Sequence, residues 1–353
     1  KKILEEPKKK FFNSEYTSTL KKLSQDYKSF YTAKIAEDIV KTTNQSDSPG
    51  ALDLSDMKNY KSIHKKALCH KLTSNYEVCG PNLPSSGTIC VVQSLILFEK
   101  IFADKIKSNA TFSPDLNKVL EILDFVYFLR DKYLGDPDYV YINKQKLFNK
   151  NFLFKTFKSF KKDSKVSTIQ NIDEILNSTS HFSIVDKSGN VLSATSSIES
   201  SFGSRLLTNG FFLNNQLTDF SFKIRDDEGN LIKNRPAAGK RPLSSMSPLI
   251  IFDENENFLM TLGSPGGKAI ISYVFKSLIS ILYSNSNIKE AIEGPNYIKI
   301  RGKIFIENEK LNKKLTTNGV KRNLTSGLGI IIKEKGRYTA GADSRRDGTV
   351  RGN

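Results

Sequence analysis

The pattern of apolar residues changes after Ser178, and this change limits the folds that the chain can adopt. Before that point, helical spacing predicts helices at Ser29–Thr43, Leu54–Tyr60, Val91–Ala103 and Leu116–Leu134. After it, alternating segments predict strands at His181–Asp186, Val191–Ile198, Gly210–Leu213, Pro248–Phe252, Phe258–Gly263, Tyr297–Ile306, Gly327–Lys333 and Tyr338–Ala342. One helix, Lys268–Tyr283, interrupts these strands. Helices followed by a strand-rich half with one further helix predict a layered α/β body.

Turn residues divide the first half of the chain. A predicted strand at Tyr76–Cys79 leads into the loop Pro81–Gly87, and the last helix of this half ends at Gly135–Asp138. The stretch Lys144–Thr168 mixes lysine with phenylalanine at no regular spacing, so it is predicted to be a linker or a surface excursion. No internal repeat is visible, and 353 residues suffice for a large core in one broad domain or two closely packed ones.

The net charge of +17 raises the question of nucleic-acid binding, because clustered lysine and arginine neutralise phosphates. Here the lysines are spread along the whole chain and no nucleic-acid-binding motif accompanies them, so a solvated basic surface is the favoured interpretation. Such a surface would attract anionic solutes. No segment is expected to span a membrane, since the most apolar helical run, Ala269–Tyr283, is too short and contains Lys276.

The three cysteines, Cys69, Cys79 and Cys90, lack the CxxC spacing of a zinc or redox site. They are expected to be small buried apolar residues, with one disulfide if the compartment is oxidising. The sequence leaves open which two would pair. Only three histidines are present, so a structural metal cluster is not expected.

The sequence has no glycine-rich phosphate loop, no serine nucleophile elbow and no metal-ligand cluster; what it has is a threonine followed by a strand. Thr179 stands immediately before a predicted strand. A threonine hydroxyl is a weak nucleophile unless a base lies beside it, and a threonine at a chain terminus can use its own α-amine, whose pKa is about 8. Such a threonine must first be exposed by cutting a precursor. Taken alone, Thr179 would be interpreted as an ordinary strand residue.

Ordered blocks of sequence favour the interpretation of Thr179 as a chain-terminal nucleophile. They are Asn177–Asn190, Phe202–Gly203, Leu213–Ser221, Gly239–Pro248, Gly263–Gly267 and Gly341–Gly348. In this order they resemble the small subunit of the γ-glutamyltransferase family, also called γ-glutamyltranspeptidase or glutathione hydrolase. Two looser blocks, Leu83–Gly87 and Tyr133–Asp138, resemble the later part of the family's large subunit.

The resemblance implies the four-layer αββα sandwich of N-terminal-nucleophile hydrolases, an α+β fold with Thr179 on a central strand. It implies a precursor that cuts itself between Ser178 and Thr179, so that residues 1–178 are the C-terminal part of the large-subunit region and residues 179–353 are the small subunit. Thr179 would then take the γ-glutamyl group from glutathione or a related amide. Water, or an amino-acid or peptide acceptor, would resolve the acyl-enzyme. No cofactor and no metal are implied.

The resemblance also assigns catalytic groups. Thr179 would attack the carbonyl of Ser178 during self-cleavage and would afterwards be the acyl-accepting nucleophile. Ser197 would hydrogen-bond that nucleophile. Gly266 and Gly267 would donate backbone N–H groups to the tetrahedral oxyanion, where the loss of one donor costs about 3 kcal/mol. Without the resemblance, two adjacent glycines would be interpreted as a tight turn.

Substrate-binding residues are implied in the same way. Ser244 and Ser245 would hold the α-carboxylate of the substrate. Asp219 with Gln216 would bind the α-ammonium, for which a carboxylate supplies both charge and acceptors. Glu199 stands where many members of the family have asparagine, and its carboxylate could still accept from the ammonium. Considered singly, each of these residues is more typical of a turn or a helix cap.

Part of the family's pattern has no counterpart here. Residues 1–178 contain neither the family's glycine-rich stretch nor its arginine that pairs with the substrate carboxylate, and Lys1-Lys2 followed by Glu5-Glu6 is not typical of a secretory signal. We therefore expect a truncated chain that is weakly active by itself. The resemblance alone implies a periplasmic or extracellular location.

Three alternatives stay open at this point. A cephalosporin-type acylase of the same superfamily prefers a glutaryl group without the α-amine, and Asp219, Gln216 and Glu199 argue against it. An inactive fragment that only folds or binds is the second alternative. A nucleic-acid-binding module is the third and the least favoured.

Overall fold

The computed structural model describes residues 12–108, 112–160 and 179–352. Within these ranges the chain forms two units, one from Lys1–His64 and Ser200–Gln216, the other from Lys65–Glu199 and Leu217–Asn353. The helices are α1 (Ser14–Gln25), α2 (Ser29–Thr32), α3 (Lys34–Asn44), α4 (Leu54–Asn59), α5 (Gly87–Ile101), α6 (Ala103–Lys107), α7 (Leu116–Tyr133), α8 (Lys144–Phe148), α9 (Lys150–Ser159), α10 (Ile270–Ser284) and α11 (Ile288–Glu293). The strands are β1 (Leu68–Lys71), β2 (Glu77–Gly80), β3 (Ser180–Val185), β4 (Val191–Ser196), β5 (Leu207–Thr208), β6 (Phe211–Phe212), β7 (Leu249–Phe252), β8 (Phe258–Gly263), β9 (Tyr297–Ile300), β10 (Lys303–Ile306), β11 (Val320–Lys321), β12 (Gly329–Glu334) and β13 (Arg337–Ala342).

The smaller unit contains α1 to α4 and the β5–β6 hairpin, and its core forms around α3 and Met57. The predicted helix Ser29–Thr43 is wrong in one respect, because Ala33 is extended (φ −118°, ψ −160°) and separates α2 from α3. This break lets Tyr31 of α2 stack on Tyr60 at 5.7 Å between ring centroids while α3 buries its own apolar face. Helical spacing does not reveal such a break, since the apolar residues on both sides keep the same period.

The larger unit is organised by a six-stranded antiparallel sheet with the order β1-β2-β7-β8-β12-β13. Alternate residues along its central strands are fully buried and join the apolar core that the helices α5, α7 and α10 also form. These residues are Leu249, Ile251, Met260, Leu262, Ile330 and Ile332. Because side chains of a strand alternate between faces, one face of the sheet packs against these helices.

The β3–β4 hairpin packs against the sheet strands β7, β8 and β12. Its outward side chains Phe182, Ile184 and Leu192 are about half exposed, at 49%, 51% and 47%. The described residues therefore supply a helix layer, a six-stranded sheet and a second β layer, which agrees with the predicted α/β class. Thr179 directly precedes β3 instead of lying within a strand.

The predicted strand Tyr297–Ile306 is two strands, β9 and β10, which pair with each other in an antiparallel hairpin. Arg301 (φ 50°) and Gly302 (φ 75°) form the turn between them. Two consecutive residues with positive φ are typical of a tight hairpin turn, and glycine at the second position adopts this conformation without strain. The apolar residues on both sides of this turn suggested a single strand, which was wrong.

The predicted linker Lys144–Thr168 is also wrong over its described part, since α8 and α9 occupy most of residues 144–160. Asn143 and Asn149 cap these helices by accepting backbone N–H groups, while Leu147 and Leu153 enter the main core. Each of these short helices has one asparagine cap and one buried leucine, which is too few apolar residues for the sequence to show a helical period. The remainder of the predicted linker, from 161 onward, lies outside the described residues.

Cys69 and Cys79 form a disulfide between the paired strands β1 and β2, which decides the pairing that the sequence left open. Cys90 is free and buried, and burial raises the pKa of its thiol to about 12. In the described part of the chain, one group of metal-ligand type occurs, Cys69, Glu77 and Cys79. Because its two sulfurs are joined to each other, this group offers no thiolate to a metal ion.

None of the helices in the described ranges combines the length and the apolar composition that a bilayer crossing needs.

Candidate active site

The β3–β4 hairpin brings Thr179 and Ser197 together. Ser180 pairs with Ser196 in this antiparallel hairpin, so the next residues outward, 179 and 197, lie opposite each other. Thr179 Oγ1 donates a hydrogen bond to Ser197 Oγ at 3.2 Å, and Thr179 is only 9% exposed. The contact predicted between these two side chains is therefore present. Ser178, the predicted residue before the cut, lies outside the described residues.

A tight turn follows Ser197. The backbone N–H of Glu199 donates to Ser197 Oγ at 2.9 Å, so the same oxygen accepts from Thr179 and from Glu199. Glu199 has a φ of +74° and is buried, with 6% exposure. A residue other than glycine in this region costs about 1 kcal/mol or more, and such strain is concentrated at functional sites. The turn fixes the acceptor that orients the Thr179 hydroxyl.

His181 fixes the hairpin on the sheet. Its Nδ1 lies 2.9 Å from Thr195 Oγ1 and its Nε2 lies 3.1 Å from Ser183 Oγ. A Cβ added to Gly263 would lie 2.3 Å from the imidazole ring, so the ring fills the space that this glycine leaves. Burial lowers the pKa of His181 to about 4, so the ring is neutral at pH 7. Sequence reasoning assigned His181 no role, although its position two residues after Thr179 was a possible signal.

Gly266 and Gly267 connect β8 to the helix α10 through the 3-10 turn Gly267–Ala269. Both have positive φ, +132° and +56°, and a Cβ on Gly266 would lie 2.5 Å from the ring of Tyr273. Backbone N–H groups that precede a helix have no helical acceptor, which leaves them available to an anion. Tyr127 donates to the carbonyl of Lys268 and holds the start of this helix.

Tyr273 is the side chain that shapes this turn from within the core. It is fully buried, and among the described residues its hydroxyl has no hydrogen-bond partner. Its ring excludes any side chain at position 266, so glycine is required there for two separate reasons: the φ angle and the space. Sequence reasoning missed Tyr273, because only the fold brings its ring against Gly266.

The segment that contains Ser244 and Ser245 is held by the loop Leu83–Gly87. Ser86 donates to the carbonyl of Ser244 from both its backbone N and its Oγ, at 2.8 and 2.6 Å. Ser244 N donates in turn to Pro84 O at 3.0 Å. Arg130 Nε donates to Ser86 Oγ at 2.9 Å, so a buried arginine supports the loop. Sequence reasoning noted the loop as a block but gave it no role.

Asp219 ends the 3-10 turn Gln216–Asp219. Asn234 Nδ2 donates to the carbonyl of Asp219 at 2.7 Å, and Asn234 Oδ1 accepts from the backbone N of Leu243 at 3.0 Å. This asparagine therefore ties the Asp219 turn to the residue before Ser244. Gln216 belongs to the smaller unit, where its backbone N donates to Asn214 Oδ1 at 2.9 Å.

The predicted site residues of the larger unit thus form three groups of contacts. Thr179 and Ser197 form the first, together with the turn at Glu199. Gly266 and Gly267 form the second, between β8 and α10. Asp219, Ser244 and Ser245 belong to the third, which Asn234 and the Leu83–Gly87 loop hold together.

Comparison with solved structures identifies the class of fold. A cephalosporin acylase from Bacillus halodurans matches with a TM-score of 0.74 at 15% sequence identity, over 97% of this chain and 62% of the acylase chain. At this identity the match shows the fold alone. The fold is that of the N-terminal-nucleophile hydrolases, as predicted.

Comparison of sequences identifies the family. The model of the family described as gamma-glutamyltranspeptidase matches residues 3–352. The chain belongs to the γ-glutamyltranspeptidase family, which confirms the resemblance seen in the sequence. The glutathione hydrolase proenzyme of Escherichia coli (strain K12) is 32% identical over an alignment of 284 positions, which covers 76% of this chain and 47% of that protein. The capsule biosynthesis protein CapD proenzyme of Bacillus anthracis is 29% identical over an alignment of 357 positions, which covers 96% of this chain and 61% of that protein.

This chain spans about half the length of two glutathione hydrolase proenzymes that it matches: 47% of the one from Escherichia coli and 52% of the one from Pseudomonas sp. (strain A14).

Proposed function

We propose that this chain is part of a γ-glutamyl hydrolase and acyltransferase in which Thr179 is the nucleophile. The observation that most supports the proposal is the hydrogen bond of 3.2 Å from Thr179 Oγ1 to Ser197 Oγ, made by a nearly buried threonine at the start of β3. A buried hydroxyl with a fixed acceptor has one orientation, and a nucleophile needs a fixed orientation. Membership of the γ-glutamyltranspeptidase family supports the choice of substrate class.

A cut between Ser178 and Thr179 would free the α-amine of Thr179. In this proposal residues 1–178 and 179–353 become separate subunits of one precursor. The amine has a pKa of about 8, so about a quarter of it is neutral near pH 7.5 and can accept the proton of the hydroxyl. His181 is not the base, because both its ring nitrogens contact hydroxyl groups and its pKa is about 4.

The reaction would proceed in two steps. Thr179 Oγ1 attacks the γ-carbonyl carbon of the substrate, and its proton passes through the α-amine to the departing amine. The N–H groups at Gly266 and Gly267 would stabilise the negative oxygen of the tetrahedral intermediate. Water or an amino-acid or peptide acceptor then attacks the γ-glutamyl ester and restores Thr179.

Substrate recognition would use the third group of residues. Ser244 and Ser245 would donate hydrogen bonds to the α-carboxylate. Asp219 would pair with the α-ammonium, with Glu199 as a further acceptor. Gln216 stays a prediction of the sequence for the same ammonium. Glutathione is the proposed donor, since it carries this γ-linked head group.

A glutaryl acylase is the alternative that the fold leaves open, because a solved cephalosporin acylase shares it. Glutaryl groups lack the ammonium, so they could not make the proposed contacts with Asp219 and Glu199. These two carboxylates favour the γ-glutamyl substrate.

The Cys69–Cys79 disulfide supports a periplasmic or extracellular location, because disulfides persist in oxidising compartments.

Turnover of two chromogenic amides tests the proposal. The protein should release p-nitroaniline from γ-glutamyl-p-nitroanilide faster than from glutaryl-p-nitroanilide, by about 100-fold or more. Thr179→Ala should abolish both activities, while Ser188→Ala, in the exposed turn of the same hairpin, should leave them unchanged. Full activity of Thr179→Ala would refute the assignment of Thr179 as the nucleophile. Faster glutaryl turnover would support the acylase, and a folded protein inactive on both amides would support the inactive fragment.

A further inference from the structure

A cavity of about 410 Å³ lies in the larger unit between α7, α10, α11 and the 3-10 turn Glu309–Lys314. None of the residues that line it is a candidate catalytic or substrate-binding residue of the Thr179 site. Its volume lies within the range of small-molecule sites, which is about 300 to 1,000 Å³. The cavity is therefore large enough for a ligand of its own.

Most of the cavity wall is apolar. The α7 side contributes Leu116 and Val119, α10 contributes Ile279, and Tyr297 and Leu311 complete the wall. Such a wall favours an aliphatic or aromatic body and gives no directional hydrogen bonds to it.

Lys276 supplies a buried amino group to this wall. It lies on α10, is 6% exposed, and its Nζ donates to Gly294 O at 2.6 Å and to Asn296 Oδ1 at 2.9 Å. An ammonium group has three N–H donors, so these two acceptors leave one donor over. In the described part of the chain, no carboxylate forms an ion pair with this Nζ. A buried ammonium without a counter-ion is costly, and an anion in the cavity would offset that cost.

The charged groups near Lys276 belong to one cluster, in which Glu307 and Asp343 face Arg345 and Asp343 also interacts with Arg346. Arg345 forms ion pairs with Glu307 and Asp343, with N–O distances of 2.5 and 3.2 Å. The pKa of Lys276 is lowered to about 7, and burial is the largest effect on it. Arg345 also lowers this pKa, while Glu307 and Asp343 raise it.

Two further charged residues line the cavity. Glu290 accepts the backbone N–H of Asn287 at 3.0 Å in a capping box at the start of α11, which engages its carboxylate. Lys314 adds a second positive charge. When Lys276 is protonated, the two lysines outnumber Glu290 and the lining favours an anionic ligand.

We propose that this cavity binds an aliphatic monocarboxylate of medium chain length, with the carboxylate on Lys276 Nζ and the chain against the apolar wall. The ligand accepts the remaining N–H donor of the ammonium. The site does not depend on the function proposed for Thr179.

Octanoate is the probe for this site, and isothermal titration calorimetry is the measurement. Wild-type protein should bind one octanoate per chain, and octan-1-ol should bind at least about tenfold more weakly, since a charge-assisted hydrogen bond contributes about 1.5 to 3 kcal/mol. Lys276→Met should remove this preference, so that both ligands bind with equal affinity. Lys118→Met, at an exposed position of α7, is the matched control and should bind like wild type.

Two further measurements keep the test independent of folding defects. Val119→Phe narrows the cavity but keeps Lys276, so it should weaken both ligands equally. At about pH 8, titrations in two buffers of different ionisation enthalpy should show uptake of a proton with octanoate, since Lys276 is mostly neutral at that pH. Absence of binding at millimolar octanoate, unchanged binding by Lys276→Met, or binding without proton uptake would overturn the proposal.

Discussion

The two faces of the six-stranded sheet differ in what covers them. On one face the helix α5 is buried along Gly87–Glu99, and its contacts with α7 and α10 are mainly apolar. On the other face the β3–β4 hairpin meets the sheet through polar groups. Ser183 Oγ lies 3.3 Å from Thr261 Oγ1, and the ring of His181 covers Gly263.

From this difference we expect the helix-covered face to contribute mainly to stability and the hairpin-covered face mainly to the reaction. Apolar burial stabilises a fold in proportion to area and does not depend on exact orientation. Hydrogen bonds contribute less free energy but fix orientation, which a nucleophile requires. We therefore expect substitutions on the helix face to change the free energy of unfolding, and substitutions on the hairpin face to change turnover.

The largest effect on stability is expected from Leu97→Ala. Leu97 is fully buried on α5, so its truncation should lower the free energy of unfolding by about 2 to 5 kcal/mol. Ser183→Ala, on the hairpin face, is the comparison and should cost only about 1 kcal/mol, since it removes hydrogen bonds to His181 and Thr261. Urea unfolding measures both. Equal losses would contradict the contrast between the two faces.

Gly266→Val should affect turnover most. Valine there meets the ring of Tyr273 and cannot adopt a φ of +132° without strain, so the N–H groups at this turn should move. We expect turnover of γ-glutamyl-p-nitroanilide to fall by about 100-fold or more. Gly189→Val is the matched control, because Gly189 also has positive φ (+83°) but has no atom within 4 Å of an added Cβ. Similar losses in both variants would show that backbone strain, and not the oxyanion site, is the cause.

The hairpin face should also be sensitive to pH through His181. Its pKa is about 4 when folded and 6.5 in the unfolded chain, so below pH 6.5 the unfolded state binds more protons. The stability is full above pH 6.5 and falls by about 3 kcal/mol as the pH drops to 4. Free energies of unfolding from urea titrations between pH 7 and pH 4 measure this loss. His181→Gln should weaken the pH dependence, while His64→Gln, at an exposed position, should keep it. An identical pH dependence in His181→Gln would contradict the account.

The smallest effect on activity is expected from a substitution in the Leu83–Gly87 loop, which holds Ser244. Ser86→Ala removes the Oγ that donates to Ser244 O and accepts from Arg130, so Ser244 and Ser245 should be less well placed. KM should rise by about tenfold, which is about 1.4 kcal/mol, with kcat little changed. Ser94→Ala is the control, because Ser94 Oγ donates only within its own helix, to Cys90 O. A fall in kcat without a change in KM would contradict a role in substrate binding.

The sequence predicted the elements with a strong period and missed those that depend on distant contacts. The hairpin after Thr179 was predicted correctly because two alternating segments flank a turn at Ser188–Asn190. The break at Ala33 and the hairpin turn at Arg301 were missed, since neither changes the apolar period. Packing of the neighbouring elements decides both.

The candidate site shows the same limit. Thr179 and Ser197 could be matched from sequence blocks, and the hairpin register brings them together. Tyr273 and His181 were not assigned, because each acts through the space beside a glycine, Gly266 and Gly263 respectively, and sequence spacing does not show such a contact. Such contacts are visible only in the folded structure.

The central claim is that Thr179 becomes a chain end and then acts as the nucleophile. Intact mass spectrometry with N-terminal sequencing of the purified protein tests it most directly. We predict two chains, one of which begins at Thr179, and a single uncut chain for Thr179→Ala. A folded, uncut wild-type protein that still hydrolyses γ-glutamyl-p-nitroanilide would contradict the claim.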